Sequence, residues 1–188
     1  PEVLKALEAK GVDIENVCLH VGAGTFLPVK EADVASHHMH RELFTISRDL
    51  LQKLIAQLKA GKPVVSVGTT SIRTLESLYY AGVDCIEKGF PEDVKQWAPY
   101  DREYQYTTVD ALEAIVTYLN ANNLEKLSLG TRIIIVPGFK FRIVDILVTN
   151  FHQPQSTLLL LISAFVGDVW KDIYRFALEN GFRFLSYG

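Results

Sequence analysis

An α/β fold, layered with a mainly parallel sheet and flanking helices, is the class this sequence predicts, and three observations carry the prediction. The hydrophobic period switches repeatedly between the twofold repeat of strands and the 3.6-residue repeat of helices. Several strand-like segments are unbroken runs of Val, Ile and Leu, which suits strands covered on both faces. Glycines close most of the helix-like segments, and Ser or Thr opens several of them.

The elements follow in order. "PEVLKALEAKG" predicts a helix, with Pro1 in its first turn and Gly11 at its end. "NVCLHV" predicts a buried strand leading into "GAGTFLPV", and "RELFTI" predicts another. Ser47 is placed to cap "RDLLQKLIAQLKAG", whose Leu50, Leu51, Leu54, Ile55 and Leu58 make one apolar stripe ended by Gly61. "PVVSV" then breaks into "GTTS" and the helix "IRTLESLYYAG", which Gly82 is expected to end. From Asp84 to Tyr106 the periodicity fails while Phe90, Trp97, Tyr100, Tyr104 and Tyr106 accumulate, the mark of a lid, a binding loop or a partly helical excursion. Thr107 or Thr108 opens "VDALEAIVTYLNANN"; "TRIIIVPGF" and "FRIVDILV" predict two more strands. Ser156 opens "TLLLLISAFVG", Asp168 opens "VWKDIYRFALENG", and "FRFLS" predicts a last strand.

With 188 residues, 48% of them hydrophobic, the chain suits one α/β domain spanning 1–188. A net charge of −3 gives no basic footprint for gripping a duplex, so any nucleic-acid partner must be held by local contacts. Cys18 and Cys85 lack CxxC spacing, which fits a reducing, cytoplasmic setting without disulfides or a zinc knuckle. The longest apolar run, Leu158 to Val166, is about half of the roughly 20 residues of a bilayer span, so no membrane partner is expected. Because the chain opens on Pro1 in a helical pattern and closes in a strand-like one, it is expected to be the C-terminal fragment of a longer two-domain protein.

Four glycine-rich or polar segments follow strand-like runs: Gly22 to Phe26 ("GAGTF"), Gly68 to Ser71 ("GTTS"), Pro137 to Phe139 ("PGF") and Thr149 to Thr157 ("TNFHQPQST"). In a parallel sheet they share the carboxyl edge, where ligands collect against helix amino termini. In the first, Gly22 and Gly24 allow close backbone approach, beside Thr25 and Phe26, but the pattern is not a dinucleotide fingerprint. Gly68, Thr69 and Thr70 offer hydroxyls and amide donors at a helix start, with Arg73 as a charge; this suits a carboxylate, phosphate or ribose, or equally a plain N-cap beside a surface arginine. His20 and His152 sit at strand ends, where each either moves a proton or holds a turn. Asp145, inside "IVDILV", is either a buried, hydrogen-bonded carboxylate or a functional one, and in both cases needs a partner. His37, His38 and His40 in "HHMH" invite a metal reading, yet no acidic or cysteine partner stands nearby, and no metal is expected. No G-x-S-x-G elbow is present to anchor a serine hydrolase.

Taken together, "LHVGAGTFLPV", "HHMHRE", "VGTTSIRTLES", "VPGFKFRIVDILVTNFHQPQSTLLLLISAF" and "FRFLSYG" resemble the S-adenosylmethionine:tRNA ribosyltransferase-isomerases of queuosine biosynthesis, in the same order over nearly the whole chain. The resemblance implies transfer and isomerisation of the ribosyl part of S-adenosylmethionine onto the aminomethyl group of a modified deazaguanine in tRNA. Epoxyqueuosine forms, and adenine and methionine leave. It implies S-adenosyl-L-methionine as a ribosyl-donating co-substrate and tRNA carrying the precursor base as partner. It also implies site roles for His152 and His20 as proton-moving groups, and for Pro137, Gly138, Phe139, Asn150, Phe151 and Ser156 beside the glycines and hydroxyls named above. The chain departs from the family pattern at Arg132 and Val136, where an acid and a tyrosine are usual, and at Gln153 and Gln155, where leucine and lysine are common. Its aromatic segment is longer than the family's, which implies a divergent branch, and the family's β-barrel domain is expected to lie outside these 188 residues. Two other classes are compatible with the residues: a nucleotide- or RNA-binding module stacking bases on the aromatic segment, and a metal-dependent hydrolase centred on "HHMH".

Overall fold

The computed structural model describes residues 2–20, 38–153 and 156–185. In chain order the elements are α1 (Glu2–Ala9), β1 (Cys18–His20), β2 (Glu42–Ser47), α2 (Arg48–Lys59), β3 (Val65–Val67), α3 (Thr69–Lys88), α4 (Ala98–Asp101) and α5 (Thr108–Ala121). They continue with β4 (Lys126–Thr131), β5 (Ile146–Val148), α6 (Thr157–Val166), a 3₁₀ turn (Gly167–Val169) and α7 (Trp170–Glu179).

Helices and small sheets make an α/β molecule, as the sequence predicts, but strand direction differs from a mainly parallel sheet. β1, β2 and β4 form one antiparallel sheet, while β3 and β5 form a separate parallel pair. The reason is visible in the residues of β2, which bury Glu42, Phe44 and Ile46 and turn Leu43 and Ser47 outward. That alternation belongs to an antiparallel strand solvated on one face. The strand expected over "TRIIIVPGF" is displaced upstream to Lys126–Thr131. Beyond it, Arg132 and Ile134 donate to the carbonyls of Val94 and Gln96, so the aromatic excursion itself pairs with this stretch. Among the described residues of "FRFLS" the pairing is one bridge between Phe151 and Leu185.

Helix α3 is the pivot of the core. Its residues from Ile72 to Val83 are all buried, and it packs along α5. Gly82 does not end it: a Cβ there would lie 2.2 Å from the Ala111 carbonyl oxygen, so the missing side chain is what lets α5 come close. The helix runs on to Gly89, whose φ of +85° makes the left-handed cap. Ser47, Thr107 and Ser156 cap α2, α5 and α6 as expected, and Thr107 and Asp110 form a reciprocal capping box. Asp168 lies within the 3₁₀ turn rather than capping α7. The excursion from Asp84 to Tyr106 is partly helical. Trp97, Tyr100, Phe139, Phe141 and Phe165 form a chain of edge-to-face ring contacts running from it to α6.

Candidate active site

Parallel pairing of β3 with β5 sets Val67 opposite Val148 and brings two predicted segments to one edge. The Gly68 N–H donates to the Val148 carbonyl at 2.8 Å, joining "GTTS" directly to "TNFH". Gly68 holds φ +95°, a conformation other residues resist, and no side chain caps α3. The first N–H groups of α3, beside Thr69 and half-buried Thr70, therefore face this edge with no capping side chain, as a long helix presents them to an anion or a hydroxyl oxygen.

His152 is the buried group of the site, only 6% exposed. Its Nε2 lies 2.8 Å from Thr149 Oγ1, and Nδ1 has no hydrogen-bond partner among the described residues. Burial holds its pKa below the ordinary histidine value, so the ring is neutral near pH 7. The Tyr174 hydroxyl meets its backbone, and Phe151 is clamped between Phe184, stacked at 4.4 Å and 6°, and Tyr174 at 4.5 Å. Leu185 N–H donates to Phe151 O at 2.7 Å. The loop carrying His152 is thus held from both ends, and Ser156 closes it by donating to Gln153 O while accepting from Leu159 N. Asn150 is exposed beside it.

The other expected residues fall differently. His20 is exposed on β1, opposite Leu43 in the antiparallel sheet, so the two candidate proton-moving histidines stand on different sheets. Arg73 is not a surface cation: it is 4% exposed, pairs with Glu42 Oε2 at 2.6 Å through Nη1, and donates through Nε to Ile133 O at 3.2 Å. The guanidinium bridges α3 to β2 and to the stretch that follows β4. Phe139 is buried against Tyr100 and Phe141, while Pro137 and Gly138 form the exposed tip of their turn. Asp145 is exposed, not buried, and its partner is the chain itself, since Oδ2 accepts from Val64 N at 2.9 Å. Gly22, Gly24, Thr25, Phe26, His37 and Gln155 lie outside the described residues. His38 and His40 are exposed, and among the described residues no three His, Cys, Asp or Glu side chains stand together as a metal site.

Sequence reasoning passed over Thr149, Tyr174, Phe184 and the Glu42 partner of Arg73. Thr149 stands three residues before His152, the reach of a turn, and that spacing was the available signal. Glu42 carried none, because an acid opening a strand looks solvated until β4 covers it.

The family model described as "Queuosine biosynthesis protein" matches residues 1–100 and 104–188. The chain belongs to this family. The only residues inside the queuosine biosynthesis match that the model skips are 101–103, at the end of α4 in the aromatic excursion. Relatives named S-adenosylmethionine:tRNA ribosyltransferase-isomerase are 41% identical in Methylocella silvestris, 40% in Brucella anthropi and 39% in Caulobacter vibrioides, each over the whole chain. This chain spans 41–42% of the length of those relatives. A solved S-adenosylmethionine tRNA ribosyltransferase from Thermotoga maritima is 30% identical with a TM-score of 0.62, covering the whole chain and 47% of that protein. Among the described residues no helix is long and apolar enough to cross a membrane.

Proposed function

We propose that the protein transfers and isomerises the ribosyl part of S-adenosylmethionine onto the aminomethyl group of a deazaguanine in tRNA, giving epoxyqueuosine-tRNA with release of adenine and methionine, in a cytoplasmic setting. The observation that supports this most is a neutral, buried His152 fixed to Thr149 at the shared edge of β3, β5 and α3, in a chain of the queuosine biosynthesis family.

In this reading His152 is the base. With Nε2–H donating to Thr149 Oγ1, the lone pair sits on Nδ1, which is enclosed in this conformation and must be uncovered as substrate seats before it takes a proton from the ribose carbon that the adjacent sulfonium acidifies. The methionine sulfur later leaves with the C–S bonding pair and becomes a neutral thioether, while a deprotonated ribose oxygen takes its place on carbon and closes the epoxide. Thr69, Thr70 and the amino end of α3 hold ribose hydroxyls or the methionine carboxylate. Asn150 and the exposed Pro137–Gly138 turn are assigned to substrate contact, and Gly22, Gly24, Thr25 and Phe26 keep the substrate-binding role that the family resemblance implies. His20 is assigned a second, separate proton-moving role. The half-buried rings of Trp97, Tyr100 and Tyr104 are engaged with each other's neighbours, which leaves the base-stacking alternative little free ring surface.

In the full-length protein, His152→Ala is expected to lower turnover by about 10²–10⁴-fold, with affinities for S-adenosylmethionine and tRNA nearly unchanged. Full turnover by that variant removes His152 from the base role.

A further inference from the structure

Glu76 is buried in the middle of α3, with no exposed surface, and among the described residues no lysine, arginine or histidine side chain forms an ion pair with its carboxylate. Its carboxylate instead takes three consecutive backbone N–H groups. Oε2 accepts from Arg142 at 2.9 Å, and Oε1 accepts from Ile143 at 3.0 Å and from Val144 at 2.9 Å. The Arg142 guanidinium lies over the Tyr79 ring, 4.5 Å from its centre, and acts on the acid through its charge rather than through a direct ion pair. Without the carboxylate, three N–H groups beside the core would lose their acceptor together, each a costly orphan.

The clamped stretch leads straight to the candidate site. Asp145 and Ile146 donate from their N–H groups to Val64 O, β5 pairs with β3, and Gly68 N–H closes the end on Val148 O. Thr149 and His152 follow at once. Three-residue strands specify register weakly by themselves, and a slip by one residue would turn every side chain of β5 to the opposite face. Glu76 and the amino end of α3 belong to one rigid helix, so the acid measures β5 against the same element that forms the other half of the site.

We propose that Glu76 is a positioning residue: by holding the N–H groups of Arg142, Ile143 and Val144, it sets the register in which β5 delivers Thr149 and His152 to the amino end of α3. Its effect on turnover rests on the ribosyl-transfer reading; its effect on register does not. Burial pushes the carboxyl pKa up to about 6 against the opposing pull of the three N–H groups, which leaves the acid ionised and accepting at neutral pH.

The test compares full-length protein with Glu76→Gln, which keeps the volume but turns an amide donor toward the N–H groups, and with Ile115→Val as a stability control in α5. Hydrogen exchange is read over residues 142–153, and adenine release gives kcat and KM. Glu76→Gln is expected to speed exchange of that stretch and to lower kcat by roughly a hundredfold at nearly unchanged KM, as a misplacement of about 1 Å does. Ile115→Val is expected to change neither. Unchanged exchange in Glu76→Gln, or faster exchange with undiminished kcat, overturns the proposal. If the parent protein releases no adenine, the functional reading fails and the exchange result alone decides the register claim. If Glu76→Gln does not fold, denaturant-dependent exchange of the parent decides: amides of 142–144 and 149–152 should open as one unit, and independent opening contradicts the proposal.

Discussion

His152 and Glu76 pull the pH dependence of stability in opposite directions. His152 is held below its ordinary value of 6.5 by burial, so the folded state resists protonating it; its contribution is present above pH 6.5 and is lost as pH falls. Glu76 is raised from 4.5 to about 6, so the folded state favours its proton; that contribution is present below about pH 4.5 and fades as pH rises through 6. Two substitutions separate them in denaturant titrations. His152→Asn is expected to flatten the loss of stability between neutral pH and pH 5, and Glu76→Gln to steepen it. The same slope in both variants would contradict these assignments. The Arg73–Glu42 pair belongs to this scale too. Glu42→Ala leaves a buried guanidinium without its acid and is expected to cost about 3–5 kcal/mol, measured by urea unfolding.

Helix α3 carries the site's amino end, the Arg73 bridge, the Glu76 clamp and the close approach to α5. Gly82→Ala is therefore expected to destabilise by more than a propensity gain could offset, about 1–3 kcal/mol from forced separation of α3 and α5, again by urea unfolding. A neutral or stabilising effect would mean that the two helices are not in the contact described. This element also shows where sequence and structure part. Caps at Ser47, Thr107 and Ser156 were legible because their side chains bond within three residues, and the "GTTS" and "TNFH" junction was legible because both segments follow apolar runs. The end of α3 was not, because Gly82 is chosen by a neighbour 29 positions away at Ala111 and looks locally like a stop. Arg73 and Glu42 were illegible for the same reason: two charges far apart in sequence each look solvated until the fold pairs them. Strand direction was readable in the alternation of "ELFTIS", but the unbroken "TRIIIV" run overshadowed it. Its isoleucines are buried without regular strand pairing, held by Val94 and Gln96 from the excursion.

For the molecule as a whole, the two sheets divide the labour. The antiparallel sheet with α2, α3 and α5 encloses most of the core, and the small parallel pair presents the site edge. One face of that pair is open, with Val65 49%, Val67 69%, Ile146 46% and Val148 53% exposed, and these four side chains adjoin. An isolated 188-residue chain is expected to bind a hydrophobic dye there, and Val67→Thr with Val148→Thr to reduce the signal. The edge itself carries the central claim, that a queuosine-family site here opens S-adenosylmethionine at its ribose and expels adenine. The most direct measurement incubates the full-length protein with S-adenosylmethionine and tRNA bearing the aminomethyl deazaguanine, and quantifies free adenine. Adenine released in step with modified tRNA, and lost with His152→Ala, is the predicted result. No adenine under conditions where a relative releases it would contradict the account.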